Sequence, residues 1–421
     1  MKLHLRRAAI GSLVALGLLL TLECGLRLTV GAPQAPQPLV RARWNMDGPA
    51  FLTDGEQVRP GFQGHDGVGP FPRAPAPDVP RVMVFGGSSI RGGSRISAAH
   101  EAPGRLSAGL RDSGTPVEVI NLGRPALDSS HHLIILQQAL AFAPDLVVLY
   151  MGHNDLGNAV LEDRYGTVGQ SLEVRLRLLL GHLASYSLLR DWMVPSGGSA
   201  NGLGLLNDPA VNAHQRGARL GTQRNCPPGD SRRALAARDL ESNLVAMAAA
   251  AQRAGARTVM VTPVSNWVSA GPVGRSCPDL VPPLVPVLGP GEQGGATLTS
   301  SQIEAALALD PDCPELLFER GLQRLEQADA GAYRDLRAAM EGDVLPLRAT
   351  RAMTDAVRSA AEASGARLVD LEATAVAEHG APPPIWFVDL VHLSAQGHIA
   401  LAQALEPVVR EELAPLQIPN R

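Results

Sequence analysis

Arg81–Ser94 reads RVMVFGGSSIRGGS. The VMVF run is short, apolar and closed by glycines, which predicts a buried strand running straight into a tight turn. From Gly87 the turn reads GSSIRGGS, one residue away from a phosphate-cradling G-x-x-x-x-G-K-[ST] loop, with Gly93 where the lysine belongs. Phosphate binding needs that cation as well as the backbone amides. Lys2 is the only lysine of the chain, so a Walker loop, a Schiff base and a Ser–Lys dyad are all excluded. Neither serine is followed two residues later by glycine, so the turn is no G-x-S-x-G elbow either. It reads instead as a turn that presents a serine, Ser88 or its neighbour Ser89.

Outward from this turn the chain alternates. Short apolar runs at Arg81–Gly86, Val117–Asn121, Asp145–Met151, Arg257–Thr262 and Arg367–Leu371 predict strands. Between and after them, helices are expected at about 97–112, Ser129–Phe142, 171–193, 232–254, 349–364 and Ser394–Leu413. Such alternation implies a parallel sheet covered on both faces. Ligands of such sheets bind beyond the carboxyl ends of the strands, so the residues just after each strand matter most. They read GGSS, NLGRPA, GHND and, near the C-terminus, DLVH.

These four blocks, in this order and at the expected strand ends, resemble the SGNH (GDSL) hydrolase superfamily. The resemblance runs from about residue 80 to 410. It implies a flavodoxin-like three-layer α/β/α sandwich and a serine hydrolase. Carried over position by position, it makes Ser88 the nucleophile and Asp389 and His392 its charge partners. The oxyanion hole would comprise the N–H groups of Ser88 and Ala126 and the side chain of Asn154. Ala126 stands where the family has glycine, with Gly123 as the fallback donor from the same turn. The chemistry of the residue types agrees. A serine hydroxyl needs a base within hydrogen-bond reach. An aspartate three residues before a histidine can hold Nδ1–H and leave Nε2 for the serine. Arg124, expected at the mouth of the site, is a candidate contact for an anionic substrate, and His153 a candidate for lining the cleft. Asp155 is read as a turn former and His398 as a packing or capping histidine. No cofactor is expected, and Asp389, His392 and His398 have no recognised metal spacing.

The chain has 421 residues, 45% of them hydrophobic, and a net charge of −4. That permits a large core and gives no sign of a nucleic-acid surface. The N-terminus, MKLHLRR, precedes an apolar run from Ala8 to Leu22 that Leu26, Leu28 and Val30 can extend. Residues 1–30 are therefore read as an uncleaved signal anchor, spanning the membrane through 8–30 with the N-terminus cytoplasmic; a cleaved signal peptide is the alternative. Residues 31–78 form a Pro/Gly-rich linker with room for a short strand or two, and 79–421 the hydrolase domain. On this topology Cys226, Cys277 and Cys313 lie in an oxidising compartment. Cys226 and Cys277, both beside proline in expected loops, are the expected pair.

Two insertions interrupt the alternation, at about 196–230 and 270–345. Within the second, residues 296–345 carry A-L-x-L-D-P, L-x-x-x-G-x-x-L and A-x-x-x-L-x-x-A, which resemble about one and a half tetratricopeptide units. Solenoids need three or more repeats, so this helical hairpin must bury its apolar face on the main domain. It is also a candidate surface for a protein partner. The expected activity is cleavage of an O-acyl ester, with an envelope polysaccharide or glycolipid as the carrier suggested by the anchored, outward location. An O-acyltransferase would use the same residues, and a non-catalytic anchored module is the reading from another class.

Overall fold

The computed structural model describes residues 17–29, 50–60, 69–91, 96–161, 183–185, 225–274, 276–277, 298–345 and 347–414. The chain divides into two compact units, Met1–Pro49 with Gly166–Leu205, and Ala50–Tyr165 with Leu206–Arg421. In the first, residues 17–29 are helical. Glu23 on this helix accepts from the N–H groups of Ala184 and Ser185 at 2.8 and 3.1 Å. Among the described residues no helix is long and apolar enough to cross a membrane. The first half of the expected anchor, most of the 196–230 insertion and most of the helix expected at 171–193 lie outside the described residues.

The second unit holds two sheets. Strands β1 (Phe51–Asp54), β2 (Gln57–Pro60) and β3 (Phe71–Pro72) make a small antiparallel sheet inside the Pro/Gly-rich region. The main sheet comprises β4 (Arg81–Gly86), β5 (Glu118–Asn121), β6 (Leu146–Tyr150), β7 (Arg257–Val261) and β8 (Arg367–Val369). Its order is β5-β4-β6-β7-β8, parallel throughout. Renumbered from its first strand this is 2-1-3-4-5, the doubly wound order whose switch point lies beside the first strand. Both faces are covered, so β4 and β6 are buried at every position and read as unbroken apolar runs rather than alternating ones.

The helices are α1 (Ala102–Asp112), α2 (Ser129–Ala139), α3 (Asp155–Leu161), α4 (Ser231–Arg253), α5 (Ser300–Leu307), α6 (Pro314–Glu326), α7 (Ala332–Gly342), α8 (Arg351–Ser364), α9 (Leu371–His379) and α10 (Ala395–Leu413). α1 packs on α10, while α4 packs on α2, α3 and α8. One core cluster joins Val82, Val84 and Val148 of the sheet to Leu106 and Leu110 of α1 and Leu401 and Leu405 of α10. The last strand is shorter than expected: Leu371 begins α9, because the Asp370 carboxylate caps that helix through the Ala373 N–H.

The insertion forms α5, α6 and α7, with α6 and α7 packed on each other. Leu336 and Met340 of α7 bury against Trp267, Val268 and Ala381 of the surrounding domain, so the hairpin hides its apolar face as its small size requires. The cysteine pairing differs from expectation. Cys277 is bonded to Cys313, the residue before α6, with Cα atoms 5.9 Å apart, while Cys226 is buried and free. The main-chain N–H of Cys226 donates to Val344 at 2.7 Å and its carbonyl accepts from Arg233. These bonds fix its loop to the far end of the hairpin.

Candidate active site

The turn after β4 carries Ser88, that after β6 carries Asn154, and the bend before α10 carries Asp389 and His392. Gly87 is required where it stands: a Cβ there would lie 2.8 Å from Asn154 Nδ2. The amide of Asn154 is thus packed against the peptide that precedes Ser88. Gly152, at φ +126°, makes the sharp exit from β6 that turns Asn154 inward, a conformation an L side chain rarely takes.

His392 Nε2 lies 2.8 Å from Ser88 Oγ, and its Nδ1 lies 2.6 Å from Asp389 Oδ2. An ionised Asp389 can only accept, so Nδ1 carries the proton and Nε2 is left as acceptor for the Ser88 hydroxyl. The other oxygen of Asp389 accepts the N–H groups of Val391 and His392 at 3.0 and 2.9 Å. Burial by itself would raise the Asp389 carboxyl. The hydrogen bond and charge attraction to His392, with those two N–H donors, outweigh it and hold the group at about 2. It is therefore a carboxylate at neutral pH. Ser89, the neighbouring candidate, is buried, with 3% of its surface exposed.

Asn154 donates one amide proton to the Leu127 carbonyl at 2.8 Å, which orients the group and leaves its second proton available. In the turn after β5 the Gly123 N–H is already given to Asn121 Oδ1 at 2.9 Å, and the Arg124 N–H to the Gly86 carbonyl at 2.8 Å. Gly123 is therefore not the fallback donor it was expected to be. Pro125 has no N–H, so Ala126 supplies the next one along the turn. Ala126 sits at φ +63°, so the position does need a left-handed residue and alanine accepts the strain. Asn158, unremarked in the sequence, steadies that peptide: its Nδ2 donates to the Ala126 carbonyl at 2.9 Å. Its spacing of four from Asn154, one helical turn along α3, was the available signal.

One expected contact does not reach the site. Arg124 is fully buried, donates to the Ala50 carbonyl at 3.3 Å and lies over the Phe51 ring at 5.9 Å. It fastens the small sheet to the domain rather than facing an anionic substrate. Burial, with a small contribution from Arg91, pulls its guanidinium down to about 10, still charged at neutral pH. His153, expected to line the cleft, is buried, and the Ala349 N–H donates to its Nδ1 at 3.2 Å. Burial, reinforced by His392 and opposed by Asp389, lowers it to about 3, so it is neutral. Asp155 accepts the Ser129 N–H at 3.1 Å, and His398 accepts the Ala102 N–H at 3.1 Å. The His/Cys/Asp/Glu cluster found among the described residues is Cys277, Cys313 and Glu315, whose two sulfurs are joined in the disulfide.

The profile of the GDSL-like lipase/acylhydrolase family matches residues 84–400, a span that takes in Ser88, Ala126, Asn154, Asp389 and His392. Comparison with curated proteins gives no match. Among solved structures, that of TesA is similar at 14% identity, covering 80% of this chain and 99% of its own, with a TM-score of 0.35. The lipase/acylhydrolase from Enterococcus faecalis is similar at 12% identity over 79% and 96%, TM-score 0.37. The acetyl xylan esterase AlAXEase is similar at 13% identity over 78% and 99%, TM-score 0.35. The chain belongs to the GDSL-like lipase/acylhydrolase family and is an ester-cleaving hydrolase.

Proposed function

We propose that the chain is a serine esterase working through an acyl-enzyme on Ser88. The observation that carries this reading is the unbroken chain Asp389–His392–Ser88, at 2.6 and 2.8 Å. Ser88 Oγ attacks the ester carbonyl while its proton passes to His392 Nε2. The imidazolium so formed is stabilised by the Asp389 carboxylate. The carbonyl oxygen becomes an oxyanion beside the N–H groups of Ser88 and Ala126 and the free proton of Asn154, each such donor typically worth about 2.7–4 kcal/mol of barrier. Collapse expels the alcohol, which takes the proton from Nε2 and leaves the acyl group on Ser88. Water then attacks, with His392 as base, and releases the carboxylic acid.

The substrate is an O-acyl ester met outside the cytoplasm, carried on an envelope polysaccharide or glycolipid. The basic, then apolar N-terminus supports the outward location, and so does the Cys277–Cys313 disulfide, since such bonds persist in oxidising compartments. Acetate release from p-nitrophenyl acetate and from an O-acetylated polysaccharide tests the reading, each with and without added sugar acceptors. Free acetate as the main product, lost in His392→Ala, supports hydrolysis. Acetylated sugar at the expense of acetate would make the chain a transferase, and no turnover by folded wild type would contradict the reading.

A further inference from the structure

The loop after β7 is bonded to the Asp389 bend, and the end of the inserted hairpin is bonded to that loop. Asn266, 2% exposed, is the joint. Its main-chain N–H donates to the Leu390 carbonyl at 2.9 Å, and its Nδ2 to the Asp389 carbonyl at 3.1 Å. Ser269 fixes the Asn266 side chain, its N–H donating to Oδ1 at 3.1 Å and its Oγ accepting from Nδ2 at 2.9 Å.

Arg348, in the segment that follows α7, holds the same loop from the other side. Its Nη1 donates to the carbonyls of Asn266 and Ala270, both at 2.7 Å, and its Nη2 to that of Gly271 at 2.7 Å. The charge is balanced by Asp343, 3.3 Å away and equally buried. Asp343 in turn accepts the N–H groups of Val273, Gly274 and Leu345 at 2.8–2.9 Å. A planar fork reaching three carbonyls is geometry that guanidinium supplies and ammonium does not. The next residue, Ala349, meets His153 beside Asn154 and also accepts from Ser265 Oγ at 3.2 Å.

We propose that Asn266 is a positioning residue for the Asp389–His392 pair, held in register by Arg348 and Asp343, so that the inserted hairpin sets the geometry of the catalytic base. The proposal rests on the acyl-enzyme reading for its kinetic consequence only; the physical coupling stands apart from it. Asn266 acts through the main chain of Asp389 and Leu390, the bend that carries the carboxylate. Removing its amide frees the Asp389 peptide and loosens the short bond to His392 Nδ1.

The test compares wild type with Asn266→Ala, Asn266→Asp and Arg348→Lys. Two readouts are used: steady-state hydrolysis of p-nitrophenyl acetate, and exchange with water of the His392 Nδ1 proton followed by NMR. Asn266→Asp keeps the acceptor for the Ser269 N–H but loses both amide donor bonds, to Ser269 Oγ and to the Asp389 carbonyl, so like the alanine variant it frees the Asp389 peptide. Both should lower kcat about tenfold with KM within about twofold, and speed proton exchange about tenfold. Arg348→Lys should fall between. A Tm within a few degrees of wild type accompanies these effects. Unchanged kcat and unchanged exchange in both Asn266 variants would overturn the proposal. Faster exchange in a protein whose wild type turns over no ester would keep the positioning role and reject the esterase reading instead.

Discussion

Lowering the pH from 7 to 5 should destabilise the fold through three buried histidines. His132, His153 and His398 have 0%, 6% and 0% of their surface exposed. Burial, the largest cause in each case, lowers them to about 3, 3 and 4, with nearby positive charge adding to it. In the unfolded chain each takes up a proton near its ordinary value of about 6.5. Between pH 6.5 and 4 the unfolded state therefore binds more protons than the folded one, and stability falls as the pH falls. Integrated from pH 7 to 5, each histidine contributes a loss of at most about 2 kcal/mol, about 6 kcal/mol for the three. That is comparable with the whole stability of an ordinary domain, about 5–15 kcal/mol. The Asp389 carboxyl acts in a separate window: held at about 2, its contribution is present above its unfolded value near 4 and lost only as the pH drops from there through 2. Urea unfolding at pH 7, 6 and 5 and constant ionic strength measures the slope. His132 packs edge-on against Phe85, with ring centres 6.4 Å apart, so His132→Phe keeps the ring and removes one titration. It should flatten the slope by about a third. Equal unfolding free energies at pH 7 and 5 would mean that these histidines are not held neutral in the fold.

Other outcomes follow from single contacts. Asn154→Ala should lower kcat about 10²–10³-fold with the far-UV spectrum unchanged; a wild-type rate would remove Asn154 from the oxyanion hole. Ala126→Gly relieves the left-handed strain at φ +63° and should leave stability unchanged or raised by up to about 1 kcal/mol, read by urea midpoint, whereas a loss would mean that the alanine methyl is packed. Opening the Cys277–Cys313 bond by Cys313→Ser releases a loop of sequence separation 36 and should cost about 3–4 kcal/mol by loop-closure entropy. Equal unfolding of the variant and the oxidised wild type would show that the staple adds nothing.

The strand ends were legible because their chemistry is local. Ser88 follows its strand by two residues, and Asp389 and His392 are one turn apart, so a short window of sequence contains each part. A parallel sheet covered on both faces follows from the alternation, but the strand order does not, because crossovers of about a hundred residues precede β7 and β8 and alternation permits more than one order. Arg124 was misplaced for a physical reason. It belongs to the right turn, but its side chain runs to Ala50 and Phe51, and that small sheet lies in a stretch that reads as Pro/Gly-rich linker. The cysteine pairing failed likewise. Proline neighbours put Cys226 and Cys277 in loops, but the partner is chosen by where α6 begins, beside Cys313. Asn266 lay in view within TPVSNW, beyond the same carboxyl edge of the sheet as Ser88 and Asn154. Its role depends on Arg348, some eighty residues later, and no pattern of spacing connects the two.

The esterase reading requires Ser88 to be the nucleophile. Incubation of the folded chain with a fluorophosphonate, followed by peptide mass spectrometry, tests it directly. One covalent adduct is expected, on Ser88, absent from Ser88→Ala and formed far more slowly in His392→Ala. An adduct on Ser89, or none on folded wild type, would contradict it.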